Sequence, residues 1–359
     1  MDSIFKSFEQ TEEELQNLQK IHQSFEEFLS TLPRQCGWTP LVNCYLYQGC
    51  WHHPFFLRGV IAAQQHFEAQ PTDIFLCSAP KSGTTWLKAL AFAIVTRKKY
   101  SDLSSHPLLS TMPHECIPFL EVDVVSKERA NQTAGVPLLA THIPYHSLPK
   151  SIISGGCKIV YIFRDPKDAF VSLWHFASRV TPKDATHIYL EEALELFCKG
   201  VSNYGPYWDH VLGFWKARKE APQRLLFLVY EEMRKNPLPS VKNLADFIGH
   251  PFSVEEENDG VPQKISELCS FENLSNLDVN KKGKHRPESA VAIENRAFFR
   301  KGKIGDWLSH LTPEMAERLD QITREKFGGT GLPSYVSDAN THGNYTMFEA
   351  TSLKSPCRY

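Results

Sequence analysis

Ile74-Phe-Leu-Cys-Ser-Ala-Pro-Lys-Ser-Gly-Thr-Thr-Trp-Leu-Lys88 is the stretch that decides the fold of this 359-residue chain. Its apolar half, Ile74–Ala79, is stopped by a proline and predicts a short buried strand, while Thr84–Arg97 predicts a helix. Between them, Gly83 lets the backbone approach a ligand closely, and the first amides of the helix form a positive dipole end. Lys81 adds a positive charge, so the segment predicts an anion-binding loop.

This loop differs from the phosphate loop of nucleotide triphosphatases. That motif reads G-x-x-x-x-G-K-[ST], with its lysine after the last glycine. Here Lys81 precedes Gly83, and Ser82, Thr84 and Thr85 supply hydroxyl donors. The alternative interpretation is a plain corner between a strand and a helix with no ligand.

Two further apolar runs, Lys158–Phe163 and Leu225–Tyr230, predict buried strands. Helical periodicity surrounds them, and Pro166 can open one helix at its first turn. The other predicted helices cover residues 188–202, 206–220, 238–248 and 313–327, the last with Thr312 as its N-cap. Apolar strands that alternate with helices predict an α/β fold: a single domain with a central parallel sheet flanked by helices.

The same patterns predict the limits of the domain. Residues 1–35 are expected to form an N-terminal helical extension, residues 36–336 the main domain, and residues 337–359 a flexible tail. Residues 258–305 are expected to form a long functional loop with a short helix near Ser266–Cys269. The extension is amphipathic because its apolar residues follow helical spacing: Leu15, Leu18, Ile21, Phe25 and Phe28.

Composition narrows the class of protein. The net charge is −2, which predicts no global attraction to nucleic acid or to an anionic membrane. Nine cysteines without a C-x-x-C pair indicate reduced thiols. The start of the chain lacks the pattern of a secretory signal, and the longest apolar stretch, around Ala89–Val95, is too short to span a bilayer. We therefore expect a cytoplasmic protein with no membrane partner.

The loop Pro80–Trp86 resembles the 5′-phosphosulfate loop of the cytosolic sulfotransferases. The resemblance continues over residues 35–335, and the phrases Pro113–Leu120 and Cys269–Leu274 look most like the plant branch. It implies transfer of a sulfuryl group from 3′-phosphoadenosine 5′-phosphosulfate (PAPS) to a hydroxyl of a small, largely apolar acceptor. The family uses PAPS as co-substrate, releases 3′-phosphoadenosine 5′-phosphate (PAP), and needs no metal.

PAPS carries a 3′-phosphate, so a second anion site is required. Two basic segments offer one, Arg164–Ser172 and Phe299–Trp307. From the residues alone, Arg164 could instead pair with Asp165 or Asp168, and the second segment could be a solvated basic loop. The resemblance assigns both segments to the 3′-phosphate through a set of matching residues: Arg164, Ser172, Arg300, Lys301 and Gly302.

The resemblance also assigns the adenine and the reacting groups. Tyr230 matches the family's adenine contact, and Trp86 and Phe271 match aromatic residues packed around the base. His142 matches the general base, with a pKa expected near the usual value of about 6.5. Lys81 matches the cation on the oxygen that bridges sulfur and the 5′-phosphate, and by the same analogy Ser172 restrains that lysine until an acceptor arrives.

Two departures from the family pattern bear on rate and assembly. Many animal members have a lysine at the position of Ala140, so any contribution of that lysine is absent. The dimer motif K-x-x-x-T-V-x-x-x-E should fall at residues 308–317, but Leu308 and Pro313 replace its lysine and valine. We therefore expect a monomer.

The acceptor pocket is expected to be aromatic. Phe119, Tyr145 and Phe176 are candidate lining residues near the general base. A dense aromatic patch serves either as core or as a pocket wall: Trp38, Tyr45, Tyr47, Trp51, Phe55 and Phe56. Such a pocket favours a flavonoid, phenolic, steroid or hormone-like plant metabolite. The alternatives are a small-molecule kinase that uses ATP and Mg²⁺, and a non-catalytic PAP-binding regulator.

Overall fold

The computed structural model describes residues 23–38, 42–124, 136–181, 186–287, 292–332, 334–337 and 345–348. Residues 23–30 are helical and carry Phe25 and Phe28 of the predicted amphipathic helix. Residues 1–22 of the predicted helical extension lie outside the described residues, and residues 31–35 form a turn and the first part of a strand instead of helix. Three short antiparallel strands follow in the order β1-β2-β3: β1 (Arg34–Cys36), β2 (Asn43–Tyr47) and β3 (Cys50–His52).

The central sheet has four parallel strands in the order β5-β4-β6-β7. They are β4 (Ile74–Ser78), β5 (Leu138–Thr141), β6 (Lys158–Phe163) and β7 (Leu225–Val229). Three of the four match predicted strands. The edge strand β5 was not predicted, because four residues are too few to show a period.

Helices cover both faces of this sheet, as expected for a parallel sheet whose strands are apolar throughout. Their bounds are α1 (Pro54–His66), α2 (Thr84–Thr96), α3 (Pro113–Cys116), α4 (Lys150–Ser154), α5 (Pro166–Val180), α6 (Leu190–Cys198), α7 (Tyr207–Glu220), α8 (Tyr230–Lys235) and α9 (Pro237–Phe247). The predicted α/β class with a flanked parallel sheet is confirmed.

The segment predicted as a long loop contains more helix than expected. Four short helices occupy it or its border, with the small β-pair β8 (Lys284–His285) and β9 (Ile293–Glu294) after them. The helices are α10 (Val254–Asn258), α11 (Val261–Leu268), α12 (Phe271–Asn276) and α13 (Asp278–Lys282). The prediction of a single short helix was wrong, because local caps such as the Ser253–Glu256 capping box sustain helices too short for a visible period.

The C-terminal part begins with α14 (Pro313–Phe327), where Thr312 accepts a hydrogen bond from the amide of Met315 as the predicted N-cap. An antiparallel pair follows, β10 (Ser334–Ser337) and β11 (Tyr345–Phe348). The pair places regular structure inside the segment predicted as a flexible tail. The residues after 348 lie outside the description.

Strand alternation builds two apolar layers, one on each face of the sheet. Phe75 and Tyr161 point to the face covered by α1, α5, α7 and α14, and Leu76 and Ile162 to the face covered by α2, α9 and α11. All four side chains are fully buried. The two layers hold the strands in place. The loops that follow the strands therefore start from fixed positions.

Parallel pairing brings the carboxyl ends of the strands to one edge of the sheet. Ser78, Thr141, Phe163 and Val229 end the four strands there. The residues that follow them include Lys81, His142, Arg164 and Tyr230, which the sequence places up to 149 positions apart. Ligands of open α/β sheets bind at this edge.

Candidate active site

The backbone of the anion loop takes left-handed conformations, which glycine adopts freely and other residues adopt only with strain. Lys81 has φ 67° and Gly83 φ 113°, both in the left-handed region. A Cβ on Gly83 would lie 2.9 Å from Ile162 Cδ1 and from Tyr230 Cδ2, so the position requires glycine. The hydroxyl of Ser78 lies 2.6 Å from that of Thr84 and ties the end of β4 to the start of α2. The loop therefore forms a fixed cradle at a helix start.

A cavity of about 550 Å³ opens at this edge, within the size range of ligand sites. It brings together almost all of the predicted site residues: Lys81, Gly83, Thr84, Thr85, Trp86, His142, Arg164, Ser172, Tyr230, Phe271, Arg300, Lys301 and Gly302. Ser82 is the exception, since its side chain is fully buried and does not line the cavity. The loop turns this side chain into the protein, and the predicted cofactor contact of Ser82 stays a prediction.

Lys81 lies among aromatic rings and other cations. Its Nζ is 4.2 Å from the ring centroid of Phe176 and 5.7 Å from that of Phe298. Burial, together with the guanidinium groups of Arg164 and Arg300, lowers the pKa of Lys81 to about 7. A lysine with this pKa lacks an anionic partner, and an anion bound in the cradle would restore its charge.

We predict that PAP binding at pH 8 takes up close to one proton. Free Lys81, with a pKa of about 7, is mostly neutral at pH 8, whereas beside a bound 5′-phosphate it is charged, so the uptake is roughly 0.9 proton. Calorimetry in buffers of different ionisation enthalpy measures the uptake. The proton uptake should vanish in Lys81→Met. It should persist in Lys98→Met, which changes an exposed lysine just after α2. Unchanged uptake in Lys81→Met would assign the proton to another group.

Arg164 is buried at the end of β6 and spans the two basic segments. Its guanidinium donates to the carbonyl oxygens of Lys81 (3.3 Å) and Lys303 (3.0 Å) and stacks over Tyr230, with Cζ 4.6 Å from the ring centroid. The alternative pairing with Asp168 is also present, at 3.6 Å. Its buried Nε–H has no hydrogen-bond partner among the described residues.

Asp168 ties the second basic segment to the first. Its carboxylate accepts the amides of Gly305 (2.8 Å) and Trp307 (3.1 Å) while it faces Arg164. Asp165, by contrast, caps α5 by accepting from the amide of Lys167. Asp168 thus brings residues 300–307 to the end of β6, a contact of two segments that lie about 140 residues apart.

Arg300 and Lys301 form the second cationic wall and are held by Asp306. Both side chains pair with its carboxylate, Lys301 at 2.7 Å. Burial would raise the pKa of Asp306, but hydrogen bonds from Lys301 and Arg300 bring it to about 2. The Nε–H of Arg300 is buried without a partner among the described residues, so this clamp also keeps a donor for a phosphate.

Aromatic rings border the cationic part of the cavity. Trp86 and Tyr230 pack edge to face, with centroids 5.6 Å apart. Phe271 packs so closely on Gly302 that a Cβ there would lie 2.4 Å from the ring, and Gly302 has φ 58°. These rings offer flat apolar surfaces beside the two cationic walls of the cavity.

His142 follows β5 and is held in one tautomer. Its Nδ1 lies 2.7 Å from the carbonyl oxygen of Ser78, which only accepts, so Nδ1 carries the proton and Nε2 is a bare acceptor. Burial, with smaller effects of His210, Lys88 and Lys81, lowers the pKa of His142 to about 3. The expectation of an ordinary pKa was wrong: the ring is neutral throughout the physiological range because the site is apolar and cationic.

The acceptor side of the cavity is aromatic as expected, with one correction. Phe119 lies 4.9 Å from the His142 ring, and Phe176, Trp38, Phe55 and Phe56 also line the cavity. Trp38 is buried in the core and also forms part of the cavity wall. Both interpretations of the aromatic patch therefore apply to this residue. Tyr145 does not line the cavity. It packs on Phe214, with centroids 5.5 Å apart, because the chain turns away from the cavity after Ile143.

The polar residues of the cavity that were not predicted include His114, Glu121 and Tyr204. His114 lies 3.0 Å from the Thr85 hydroxyl through Nε2, and Glu121 accepts from the amide of His142 at 2.9 Å. His114 belongs to the phrase Pro113–Leu120 and Glu121 follows it directly, and a polar residue in this apolar context is a signal of a candidate site residue. Tyr204 carries no such signal.

The fold and the site together define a nucleotide-dependent group-transfer enzyme, with two anion-binding walls and a neutral histidine around one cavity. Residues 71–331 match the sulfotransferase domain family, and the chain belongs to that family. It is 52% identical to a flavonol 3-sulfotransferase of Flaveria bidentis, over 86% of this chain and 99% of the relative. It is 49% identical to cytosolic sulfotransferase 16 of Arabidopsis thaliana, over 89% and 95%.

Solved structures agree with the sequence relatives. A putative steroid sulphotransferase of Arabidopsis thaliana shares 37% identity with a TM-score of 0.68, covering 88% of this chain and 96% of that one. A mouse sulfotransferase complexed with PAP shares 29% identity with a TM-score of 0.61, covering 80% and 94%. The predicted family, its plant branch and the sulfotransferase class of enzyme are confirmed, and the kinase alternative receives no support.

No described helix is long and apolar enough to cross a membrane. No group of three or more His, Cys, Asp or Glu side chains in the described ranges is arranged to hold a metal ion. The prediction of a cytoplasmic protein agrees with the relatives named cytosolic sulfotransferases.

Proposed function

We propose that this enzyme transfers the sulfuryl group of PAPS to a hydroxyl of a small, largely apolar acceptor. The observation that carries the proposal is the single cavity that joins Lys81, the arginines Arg164 and Arg300, and the bare Nε2 of His142. Cations alone would bind a nucleotide, and a neutral histidine alone would bind a hydroxyl. Because both lie in one cavity, a sulfuryl donor and an acceptor hydroxyl would bind side by side.

In the proposed reaction the acceptor oxygen attacks sulfur as its proton passes to Nε2 of His142. A bond from the acceptor oxygen to sulfur forms, and the bond from sulfur to the oxygen of the 5′-phosphate breaks. Lys81 stabilises the charge that develops on that leaving oxygen. The products are a sulfate ester and PAP, and the proton on His142 leaves to solvent. Alignment and charge stabilisation supply the rate.

The low pKa of free His142 fits this role once the donor is bound. A base with a pKa of about 3 is a poor proton acceptor, since a general base works best near the operating pH. Burial is the main cause of the low pKa, and the bound phosphosulfate adds negative charge close to the ring, which favours its protonated form. We therefore expect donor binding to raise the pKa of His142 towards the range in which it accepts a proton.

The acceptor proposed is a flat hydroxylated metabolite such as a flavonoid or other phenol, with steroids as the next class. Phe119, Phe176 and Phe56 supply flat apolar walls next to His142. Two of the similar plant enzymes are named flavonol sulfotransferases, acting at the 3 and 4′ positions. A ring system that stacks on these walls would bring a phenolic hydroxyl to Nε2.

The test is a panel of hydroxylated plant metabolites offered to the purified protein with PAPS. Sulfation of at least one phenolic acceptor, with PAP as the second product and with a chelator present, is the expected result. A matched series with ATP and Mg²⁺ should give no phosphorylated product. Transfer from ATP, or binding of PAP without turnover on any acceptor, would contradict the proposal.

The second anion site has its own prediction. Arg300→Ala should weaken PAP and PAPS roughly ten- to a hundredfold, because a charge-assisted hydrogen bond contributes about 1.5–3 kcal/mol. Adenosine 5′-phosphosulfate, which lacks the 3′-phosphate, should lose almost nothing. Titration calorimetry with both nucleotides measures the difference, and Arg296→Ala, an exposed arginine paired with Glu294, is the control. Equal losses for the two nucleotides would move Arg300 away from the 3′-phosphate.

Three further features remain proposals. The domain is proposed to span residues 36–336, with residues 1–35 as an extension and 337–359 as a tail around the β10–β11 pair. The protein is proposed to be a monomer, because Leu308 and Pro313 replace the lysine and the valine of the family's dimer motif. PAPS is proposed to react without a metal. Sedimentation velocity and assays on metal-stripped protein test the last two.

A further inference from the structure

Three distant segments meet beneath the turn that carries His142. Glu121 lies in the π-helical segment Leu120–Val124, Thr141 ends β5, and Tyr204 precedes α7. The Glu121 carboxylate accepts three hydrogen bonds: from the His142 amide (2.9 Å) and the Tyr204 hydroxyl (3.1 Å) at Oε1, and from the Thr141 hydroxyl (2.9 Å) at Oε2. The Glu121 carboxylate thus holds the turn through the backbone amide of His142 and through the side chain of Thr141.

Burying the Glu121 carboxylate costs free energy. Glu121 is 2% exposed, and no lysine or arginine of the described segments forms an ion pair with it. Burial accordingly raises the pKa of Glu121, against which its three hydrogen bonds act. Burying a charge without an ionic partner costs free energy, which the three hydrogen bonds to Glu121 offset. Its place at the cavity wall points to geometry rather than to stability as its contribution.

The other atoms of the turn are also held. The carbonyl oxygen of His142 accepts from His210 Nε2 (2.9 Å), whose Nδ1 accepts from the Tyr161 hydroxyl (2.9 Å). The Thr141 hydroxyl also accepts from the amide of Ile143 (3.0 Å). The His142 backbone is therefore fixed on both sides, and Glu121 is the group that fixes its N–H side.

Glu121 is itself anchored to the scaffold. The backbone of α1 approaches it so closely that a Cβ on Gly59 would lie 1.7 Å from the Glu121 carbonyl oxygen. Gly59 is fully buried in α1. The position of the carboxylate is thus set by a helix of the main layer and not by a surface loop.

We propose that Glu121 is a positioning residue for sulfuryl transfer, which orients His142 by clamping residues 141–143. The inference rests on the proposed role of His142 as the base. Glu121 does not bond to the imidazole, so it acts through the backbone and leaves the chemistry to Nε2. Because a displacement of about 1 Å in a reacting group can cost about a hundredfold in rate, a loosened turn should lower turnover and spare nucleotide binding.

The test compares a variant that removes one of the three hydrogen bonds, and a variant that removes all three, with a matched control. Thr141→Val should lower kcat about tenfold and Glu121→Ala about a hundredfold, while PAP affinity changes less than twofold. Glu121→Gln keeps an acceptor for the His142 amide and should recover most of the loss. Thr323→Val is the control, because it removes an equally buried threonine that accepts from the indole of Trp208 far from the cavity. It should lower the melting temperature similarly without lowering kcat.

A readout independent of turnover keeps the inference separate from the proposed function. In ¹⁵N spectra of histidine-labelled protein, wild-type His142 should show the Nδ1–H tautomer, and Thr141→Val should shift or broaden that signal while Thr323→Val should not. If the wild type transfers no sulfuryl group, the proposed function fails but the spectra still test the clamp. If Thr141→Val and Glu121→Ala match Thr323→Val in both kcat and spectra, Glu121 is merely structural and the inference is overturned.

Discussion

His142→Ala should lower sulfuryl transfer by about 10²–10⁴-fold and leave PAP affinity nearly unchanged, because a general base acts on the acceptor. The measurement is single-turnover transfer from labelled PAPS beside a PAP titration. His66→Ala, which changes an exposed histidine at the end of α1, is the control and should behave like the wild type.

The chemistry of the acceptor sharpens this prediction. An acceptor whose phenol is already ionised at the assay pH does not need the base, so His142→Ala should impair it much less than a neutral phenol. Near-normal turnover of a neutral phenol by the variant would show that His142 is not the base. Equal impairment of both acceptors would indicate that the histidine contributes by charge or shape instead.

Lys81→Ala should lower turnover by about 10²–10³-fold, with a smaller loss in PAP binding, because its contact strengthens as the leaving oxygen becomes negative. Lys81→Arg should recover activity only in part. The ammonium lies between two aromatic rings in a loop of positive φ, and a wide planar guanidinium suits that space poorly. Lys98→Ala, at an exposed position, is the matched control.

The metal dependence of the same proteins separates the sulfotransferase from a kinase. A chelator should leave wild-type activity largely intact if the protein's own cations neutralise the leaving group. Activity that survives chelation and collapses with Lys81 is the expected pattern. A loss in PAP affinity as large as the loss in kcat would show that Lys81 binds the ground state and the transition state equally, and its proposed catalytic role would fail.

The sequence by itself determined the strand–loop–helix unit of residues 74–97, because this unit is local. The apolar run ends at Pro80, the helix starts after Gly83, and the loop between them can only face the end of the strand. The same holds for Lys158–Phe163 and for the capped helix Pro313–Phe327, whose signals are short-range hydrogen bonds and periodicity. The family resemblance then located His142 and the basic segment at Arg300 by motif.

Tertiary structure alone decided what depends on distant packing. Ser82 and Tyr145 lie near site residues in sequence, but the turns around them direct both side chains away from the cavity. The pKa of His142 depends on burial by strands and helices that its own segment does not specify. The hydrogen bond that joins Glu121 to Tyr204, 83 positions away in the sequence, exists only in the folded chain. Local sequence signals determine the individual helices and strands. The burial, the electrostatics and the orientation of the site residues depend on how those elements pack together.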